Sequence, residues 1–599
     1  MVKRVWAVLQ DLLPLLPLGA QRYFVFYMIS TTVVTLLDVV AMSLLAIVIG
    51  PAITGGTLNL PLIGEITPEM APVLALSALV LIIVKSIFSV SLHWHATRRF
   101  AKYELEIGDR MFRAYINSSW EQRSKRSVAE ITRIADAGIA NTMAGFLLPL
   151  MRVPSSIFTF VLVLGVLLVV NPMISIIALV YLSLIALIVH HFVTKRALEA
   201  AQVNLEFSYR VAILMTEMME ALKELSLRNR LSDVAELVTV NRQRSVRARA
   251  NGSILGIIPG FVFEAALIGG IILVGGASFF QGGLTAALTS VALFATAGFR
   301  LIPAINGIQG GIVQAVASIP SATDVIGDLI ASENDMKTST TPADTAELSD
   351  RPREMRLDNV RFRYPNASED VIRGMSVDIP LGSSLGIVGP SGAGKSTLID
   401  LLLGLSVPSS GEILIDGHPL NSVLRQWRGR VGYVPQRVAL FDGTIAQNVA
   451  LTWNDEVDRE RVVRALERAQ LGSLVASRAG GIDERIGERG VSLSGGQQQR
   501  LGIARALYTD PLVLVLDEAT SSLDTKTEDE VTKSIKALQG EVTLISVAHR
   551  LSTIKDYDRV CYVDEGVIVS QGTFYEVAAS LPSFAEQVLL AGLARDLDR

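Results

Sequence analysis

The segment Gly389-Pro-Ser391-Gly392-Ala-Gly394-Lys395-Ser396-Thr397 sets glycines, a lysine and hydroxyls in the order GxxxxGK[ST]. Glycines let successive backbone N–H groups turn inward around phosphate oxygens, and a helix opening at the lysine adds its N-terminal dipole. In this pattern Lys395 reaches the β- and γ-phosphates of a nucleoside triphosphate, and Ser396 ligates Mg²⁺. Farther along, Leu512-Val-Leu-Val-Leu516-Asp517-Glu518 reads as a strand buried on both faces that ends in two carboxylates, where α/β sheets bind ligands. Asp517 is expected to hold the metal through its hydration shell, and Glu518 to polarise an attacking water. Leu493-Ser494-Gly495-Gly496-Gln497 precedes a helix and is a second phosphate-binding turn on the same domain. One ATP cannot use both turns if they lie at opposite ends. The sequence therefore predicts two domains facing head to tail, with the Ser494 turn of one closing on ATP held at Lys395 of the other.

The elements that position these residues follow from composition. Half of the 599 residues are hydrophobic and 19% are charged, below the roughly 25% of soluble proteins. Mean hydropathy is +0.42. The net charge of −4 gives no sign of nucleic-acid binding, and a single cysteine, Cys561, rules out an intramolecular disulfide framework. Six apolar runs are long enough to span a bilayer: about Tyr23–Ile49, Ala71–Trp94, Thr142–Val170, Met173–Thr194, Ser253–Phe280 and Leu284–Ile312. Lysine and arginine crowd the connections after the second and fourth runs, while 51–70, 171–172 and 281–283 contain none. The positive-inside rule then puts the long basic connections and both termini in the cytoplasm. Those connections lack breakers over Ala197–Leu237 and are expected to extend the membrane helices into water. Residues 1–20 resemble a signal peptide, but Gln10, Asp11, Pro14 and Pro17 interrupt them. An uncleaved amphipathic elbow helix is expected there. The predicted organisation is an elbow at 1–20, a six-helix transmembrane domain at 21–330, a polar linker at 331–353 and an α/β P-loop ATPase domain at 354–599.

With these motifs in this order, the chain resembles the ABC transporter superfamily over essentially its whole length. The resemblance makes LSGGQ at 493–497 the signature motif and Gln436, in Tyr433-Val-Pro-Gln436, the Q-loop residue that senses Mg²⁺ and the membrane helices. It makes His549 the switch histidine on the γ-phosphate, Asp524 in Ser521-Ser-Leu-Asp524 the D-loop aspartate, and Tyr364 the aromatic stacked on adenine. Gly487-Glu-Arg-Gly490 is similar to the exporter x-loop. The membrane-first fusion resembles type IV exporters, implying an integral protein of a bacterial inner membrane that works as a dimer by alternating access. Coupling helices are expected near 119–130 and 212–222. Both ATP sites can be intact, which suits a homodimer, while a heterodimer stays open.

Asp38, Lys85, Arg152, Glu264 and Arg300 lie within apolar runs, where each needs a partner or a watery cavity and so forms a candidate substrate path. Structural ion pairing or snorkelling is the competing account. Phe299–Asn306, Glu264 and Ala41–Leu44 resemble the bacterial flippase for lipid-linked oligosaccharides, which implies that arginines meet a pyrophosphate headgroup. A multidrug or peptide exporter and an ATP-gated channel are the alternatives. A soluble ABC ATPase would need no apolar spans.

Overall fold

The structure, a computed structural model, describes residues 1–54, 58–60, 64–66, 71–123, 128–339, 344–365, 367–487, 490–519, 525–548 and 550–593. It comprises two compact units: Met1–Ser118 with Lys125–Thr338, and Ser119–Ser124 with Ser339–Arg599.

The first unit is helical. Val2–Leu12 buries Val5, Val8 and Leu12 one turn apart and leaves Trp6 exposed, as an amphipathic helix should. Gly19, at φ +87°, turns the chain into the helix Ala20–Thr54. β1 (Leu58–Leu60) and β2 (Gly64–Ile66) pair antiparallel before the helix Ala71–Ile116. Leu148–Val170 and Pro172–Glu220 meet at Asn171, whose side chain accepts from the Ile174 N–H at 3.2 Å while Pro172 starts the second helix. Leu231–Ser339 is broken by non-helical backbone at Gly282 and Gly283, so the fifth and sixth apolar runs fall on separate helices.

Among the described residues, four helical stretches are long and apolar enough to cross a membrane: Pro72–Ile116, Asn141–Leu168, Pro172–Glu220 and Leu231–Lys337, the last divided at Gly282 and Gly283. Leu76, Val80, Ile83, Ile87 and Val90 follow one another at spacings of three and four and are 49–71% exposed. Such a stripe is costly in water and neutral in hydrocarbon, which gives the unit a surface suited to lipid. The second and fourth span helices continue past their apolar parts as the charged extensions expected from their lack of breakers.

The second unit holds the ATPase motifs. Its strands are β3 (Glu354–Phe362), β4 (Ile372–Pro380), β5 (Ser384–Val388), β6 (Ser410–Ile415), β7 (His418–Pro419) and β8 (Val431–Val434). They are followed by β9 (Val513–Asp517), β10 (Thr543–Val547), β11 (Arg559–Asp564) and β12 (Val567–Gly572). A six-stranded sheet has the order β12-β11-β5-β10-β9-β8, parallel except for β11 with β12; an antiparallel sheet has the order β4-β3-β6-β7. Val547 pairs with both Ile387 and Asp517, so the carboxyl ends of β5, β10 and β9 finish level at one edge. That edge is where a parallel sheet presents its ligand-binding loops.

The segment expected as a linker, 331–353, is not uniformly loose. Residues up to Ser339 continue the preceding helix. Asp344 accepts from the backbone N–H groups of Arg425 and Gln426 (2.9 and 3.1 Å), and Leu348 N–H donates to Gln426 Oε1 (2.9 Å). The polar composition there supplies caps for the helix Leu424–Arg428.

Candidate nucleotide site

β5 feeds the glycine-rich loop directly into the helix Lys395–Leu402. A Cβ on Gly389 would lie 1.9 Å from the carbonyl oxygen of Val563, and Gly394 caps the helix at φ +97°. Neither position tolerates a side chain, so the loop keeps its backbone amides close to the helix N-terminus. Lys395 is buried, and its Nζ donates to the carbonyl oxygens of Gly389 (2.9 Å) and Pro390 (2.8 Å). Burial lowers the pKa of its ammonium, while the charges of Glu518 and Asp517 oppose that shift. The ammonium and both carboxylates therefore share one electrostatic neighbourhood. Tyr364 Oη and Thr397 Oγ1 are hydrogen-bonded at 3.0 Å, and the Tyr364 ring packs edge-on against Phe362.

Asp517 ends β9 and accepts from Tyr433 Oη at 3.3 Å. Glu518, one residue beyond, has φ +50°, a left-handed backbone that costs a non-glycine residue about 1 kcal/mol or more. Its N–H donates to the Val547 carbonyl at 3.1 Å. Gln436 Nε2 donates to Glu518 Oε2 at 2.6 Å. The structure thus brings Lys395, Gln436, Asp517 and Glu518 together, although they are dispersed in sequence.

The hydroxyl of Ser396, the amide oxygen of Gln436 and the carboxylate of Asp517 are hard oxygen donors that suit Mg²⁺, which keeps several of its waters and takes few protein ligands. No group of three or more His, Cys, Asp and Glu gathers as a metal cage among the described residues.

Ser494 caps the helix Gly495–Leu507 through a reciprocal box: its Oγ accepts from the Gln497 N–H (3.4 Å), and Gln497 Oε1 accepts from the Ser494 N–H (3.0 Å). Ser494 and Gly495 are exposed. Among the described residues no hydrogen bond joins this turn to the Gly389–Thr397 loop. His549, Asp524 with the rest of its D-loop, and Glu488 and Arg489 of the x-loop lie outside the described residues.

Tyr433 and Asp400 have no role in the motif reading. Tyr433 sits on β8 beside β9, and the pairing of those strands is the signal that would place it next to Asp517. Asp400 is a lone carboxylate on a helix whose neighbours Leu398, Ile399, Leu401 and Leu402 are all buried. Burial pushes its carboxyl up to about 6; the Trp120 indole N–H donating to it opposes this, and the charges of Asp517 and Glu121 add to it. The folded chain therefore binds this proton to higher pH than the unfolded chain, and stability falls as pH rises from about 4 to about 6. Asp400→Asn is expected to stabilise the chain at neutral pH by on the order of 1–2 kcal/mol and to change little near pH 4. Thermal unfolding of the solubilised chain at both pH values measures this; equal effects at the two would rule out the ionisation.

In the first unit, exposed Glu264 lines a cavity of about 440 Å³ with Phe261, Phe299, Pro303 and Asn306, whose Oδ1 is buried without a hydrogen-bond partner. Lys85 and Arg300 are half-buried and Arg152 is exposed. The side chain of Asp38 lies outside the described residues.

Residues 372–521 match the family model described as ABC transporter. The chain is 41% identical over 227 residues to an ATP-dependent lipid A-core flippase of Cupriavidus pinatubonensis, covering 37% of this chain and 38% of that one. It is 44% identical over 241 residues to one of Ralstonia nicotianae, covering 39% and 40%. A third, of Chromobacterium violaceum, is 35% identical over 336 residues, or 56% of each chain. The matches thus span less than two thirds of the length of these curated relatives. A bacterial Atm1-family ABC exporter with ATP bound superposes with TM-score 0.70 over 95% of this chain and 98% of its own, at 24% identity, and has the same fold.

Proposed function

We propose, from the premise that this chain carries an ABC transporter ATPase domain on an exporter fold, that it is a half-transporter that pairs with a second copy and moves an amphipathic, lipid-linked substrate across a membrane. One observation supports this above others. The phosphate loop, Asp517 and Glu518 converge at one sheet edge while the exposed Ser494 helix N-terminus has, among the described residues, no hydrogen bond to that loop. A partner copy supplies what that exposed turn lacks.

In this account the amides of 389–394 and Lys395 hold the phosphates, Tyr364 lies against adenine, and the partner's signature turn closes over the γ-phosphate. Ser396, Asp517 and Gln436 would hold Mg²⁺, which would supply positive charge against the phosphate oxygens. Glu518 polarises the attacking water, oriented by its bond from Gln436, and His549 and Asp524 complete the site. Trp120–Arg123, which groups with the ATPase unit, passes closure to the helices that precede and follow it. The exposed apolar stripe of the first unit supports a place in a bilayer, and the basic extensions favour an ATPase domain on the cytoplasmic side.

The relatives named lipid A-core flippases favour a saccharide-bearing lipid as substrate. Lipid A-core or polyprenyl-pyrophosphate glycans are therefore expected to stimulate the ATPase, and hydrophobic drugs to leave it near its basal rate. The reverse order would identify a drug exporter, and flux only down a gradient a channel. Arg300→Ala is expected to raise the glycolipid concentration for half-maximal stimulation about 10-fold or more, as loss of one charge-assisted phosphate contact would, with the basal rate within about two-fold. Equal loss of both rates would make Arg300 structural.

A further inference from the structure

Tyr364 and Thr397 are 33 residues apart, one beyond the end of β3 and one on the helix that follows the phosphate loop, yet their hydroxyls share a hydrogen bond at 3.0 Å. The Tyr364 end is held by its backbone. The Phe362 carbonyl accepts from the Val371 N–H (2.8 Å), the Arg363 N–H donates to Ser409 Oγ (3.0 Å), and the Tyr364 carbonyl accepts from the Ala367 N–H (3.0 Å). Buried Phe362 meets the Tyr364 ring edge-on, with centroids 5.0 Å apart. Main chain and one side of the ring are thereby set. What is left to fix is the tilt of the phenol about its side-chain bonds.

The Thr397 end carries the more specific signal. A threonine within a helix commonly turns its hydroxyl back to the carbonyl four residues earlier. Thr142 does so to Gly138 (2.8 Å) and Thr323 to Ile319 (2.9 Å). For Thr397 that carbonyl belongs to Ala393, which instead accepts from the Gly566 N–H at 3.2 Å. The buried Thr397 hydroxyl reaches sideways to Tyr364. The phosphate loop also lies against the strand that follows Tyr364: a Cβ on Gly394 would be 3.0 Å from Ile372 Cδ1 and 3.2 Å from the Val371 carbonyl oxygen. Loop, helix and aromatic ring therefore form one packed group.

From this arrangement we infer that Thr397 is a positioning residue for the nucleobase: by bonding the Tyr364 hydroxyl from the first turn of the phosphate-binding helix, it fixes the tilt of the tyrosine ring relative to the phosphate loop. The inference rests on the reading that Tyr364 lies against adenine. Its physical basis is preorganisation. A phenol free to rotate loses that freedom when the base arrives, which weakens binding about 2- to 12-fold for one side chain, whereas a ring already held loses little. The bond also links base and triphosphate recognition through one helix, since Lys395 and Thr397 share its first turn.

The experiment is isothermal titration of the whole Glu518→Gln chain in detergent with ATP and with tripolyphosphate, each with Mg²⁺; tripolyphosphate carries the three phosphates and no base. The quantity read is the ratio of the two affinities. Thr397→Val and Tyr364→Phe are each expected to lower that ratio about five-fold, the double variant to lower it no further, and Thr397→Ser to keep it within about two-fold of the parent. Tyr364→Ala, which removes the ring, is expected to lower it about 20-fold or more. Tyr364→Phe takes away the same bond from the other end and decides the matter if Thr397→Val does not fold. A ratio unchanged in Thr397→Val or Tyr364→Phe while Tyr364→Ala lowers it, losses that multiply in the double variant, or no rescue by Thr397→Ser would overturn the positioning role. Equal weakening of both ligands by Thr397→Val would overturn it too, and make the hydroxyl a phosphate contact only. A ratio unchanged in Tyr364→Ala would instead overturn the adenine contact on which the inference rests.

Discussion

Glu518→Gln is expected to lower ATP turnover by about 10²–10⁴-fold, the usual contribution of a positioned general base, while leaving ATP affinity within a few-fold of the parent chain. The substitution isolates charge from shape. Glutamine has the same reluctance as glutamate to adopt the φ of +50° found here, and its amide oxygen can still accept from Gln436 Nε2. What disappears is the basicity that polarises water. Because ATP then binds without being consumed, the closed dimer should accumulate, visible as a nucleotide-dependent rise in dimer by size-exclusion or light scattering. Normal turnover in Glu518→Gln would remove Glu518 from the chemistry and send the search to another base.

Lys395→Ala is expected to act one step earlier. ATP affinity should fall about 10-fold or more and hydrolysis about 10²-fold, since a charge-assisted bond to phosphate is lost in both ground and transition states. The fold should survive. Burial already lowers the pKa of this ammonium, so the folded chain holds the charged form at a cost, and its two bonds go to loop carbonyls that water can reach once the side chain is shortened. Isothermal titration on Glu518→Gln with and without Lys395→Ala separates binding from turnover. Unchanged affinity would mean that the loop amides alone hold the phosphates.

Much of this site was legible before any coordinates. The 389–397 loop combines glycines that only a backbone cradle requires with a lysine and a serine at fixed spacing, and Leu512–Glu518 reads as a strand because five aliphatic residues precede the acids. Helices of the first unit were legible from run length, and the connection 281–283 between the fifth and sixth runs is where the helix breaks, at Gly282 and Gly283. Contacts that depend on strand order were not. Tyr433 meets Asp517 only because β8 is the neighbour of β9, an adjacency that no local pattern encodes. The Gln436–Glu518 bond likewise depends on the left-handed turn at Glu518, a conformation disfavoured for glutamate and so invisible to propensity. The polar segment after Ser339 read as a tether because its composition lacks apolar residues, yet Asp344 and Leu348 are bonded to the helix at Leu424 and its neighbours. Composition reports what a segment cannot bury, not what it can cap.

The account turns on a composite ATP site shared by two copies. Cys561, the single native thiol, is buried with its pKa pushed up to about 12, and so stays silent toward maleimides. One preparation of the Glu518→Gln chain carries Ser391→Cys and a second carries Ser494→Cys; the two are mixed and treated with a short bismaleimide. Adding ATP with Mg²⁺ is expected to produce a covalent species of twice the 64.6 kDa chain mass, with little in its absence. No such species with nucleotide present, alongside full ATP turnover by the monomeric parent chain, would contradict the account.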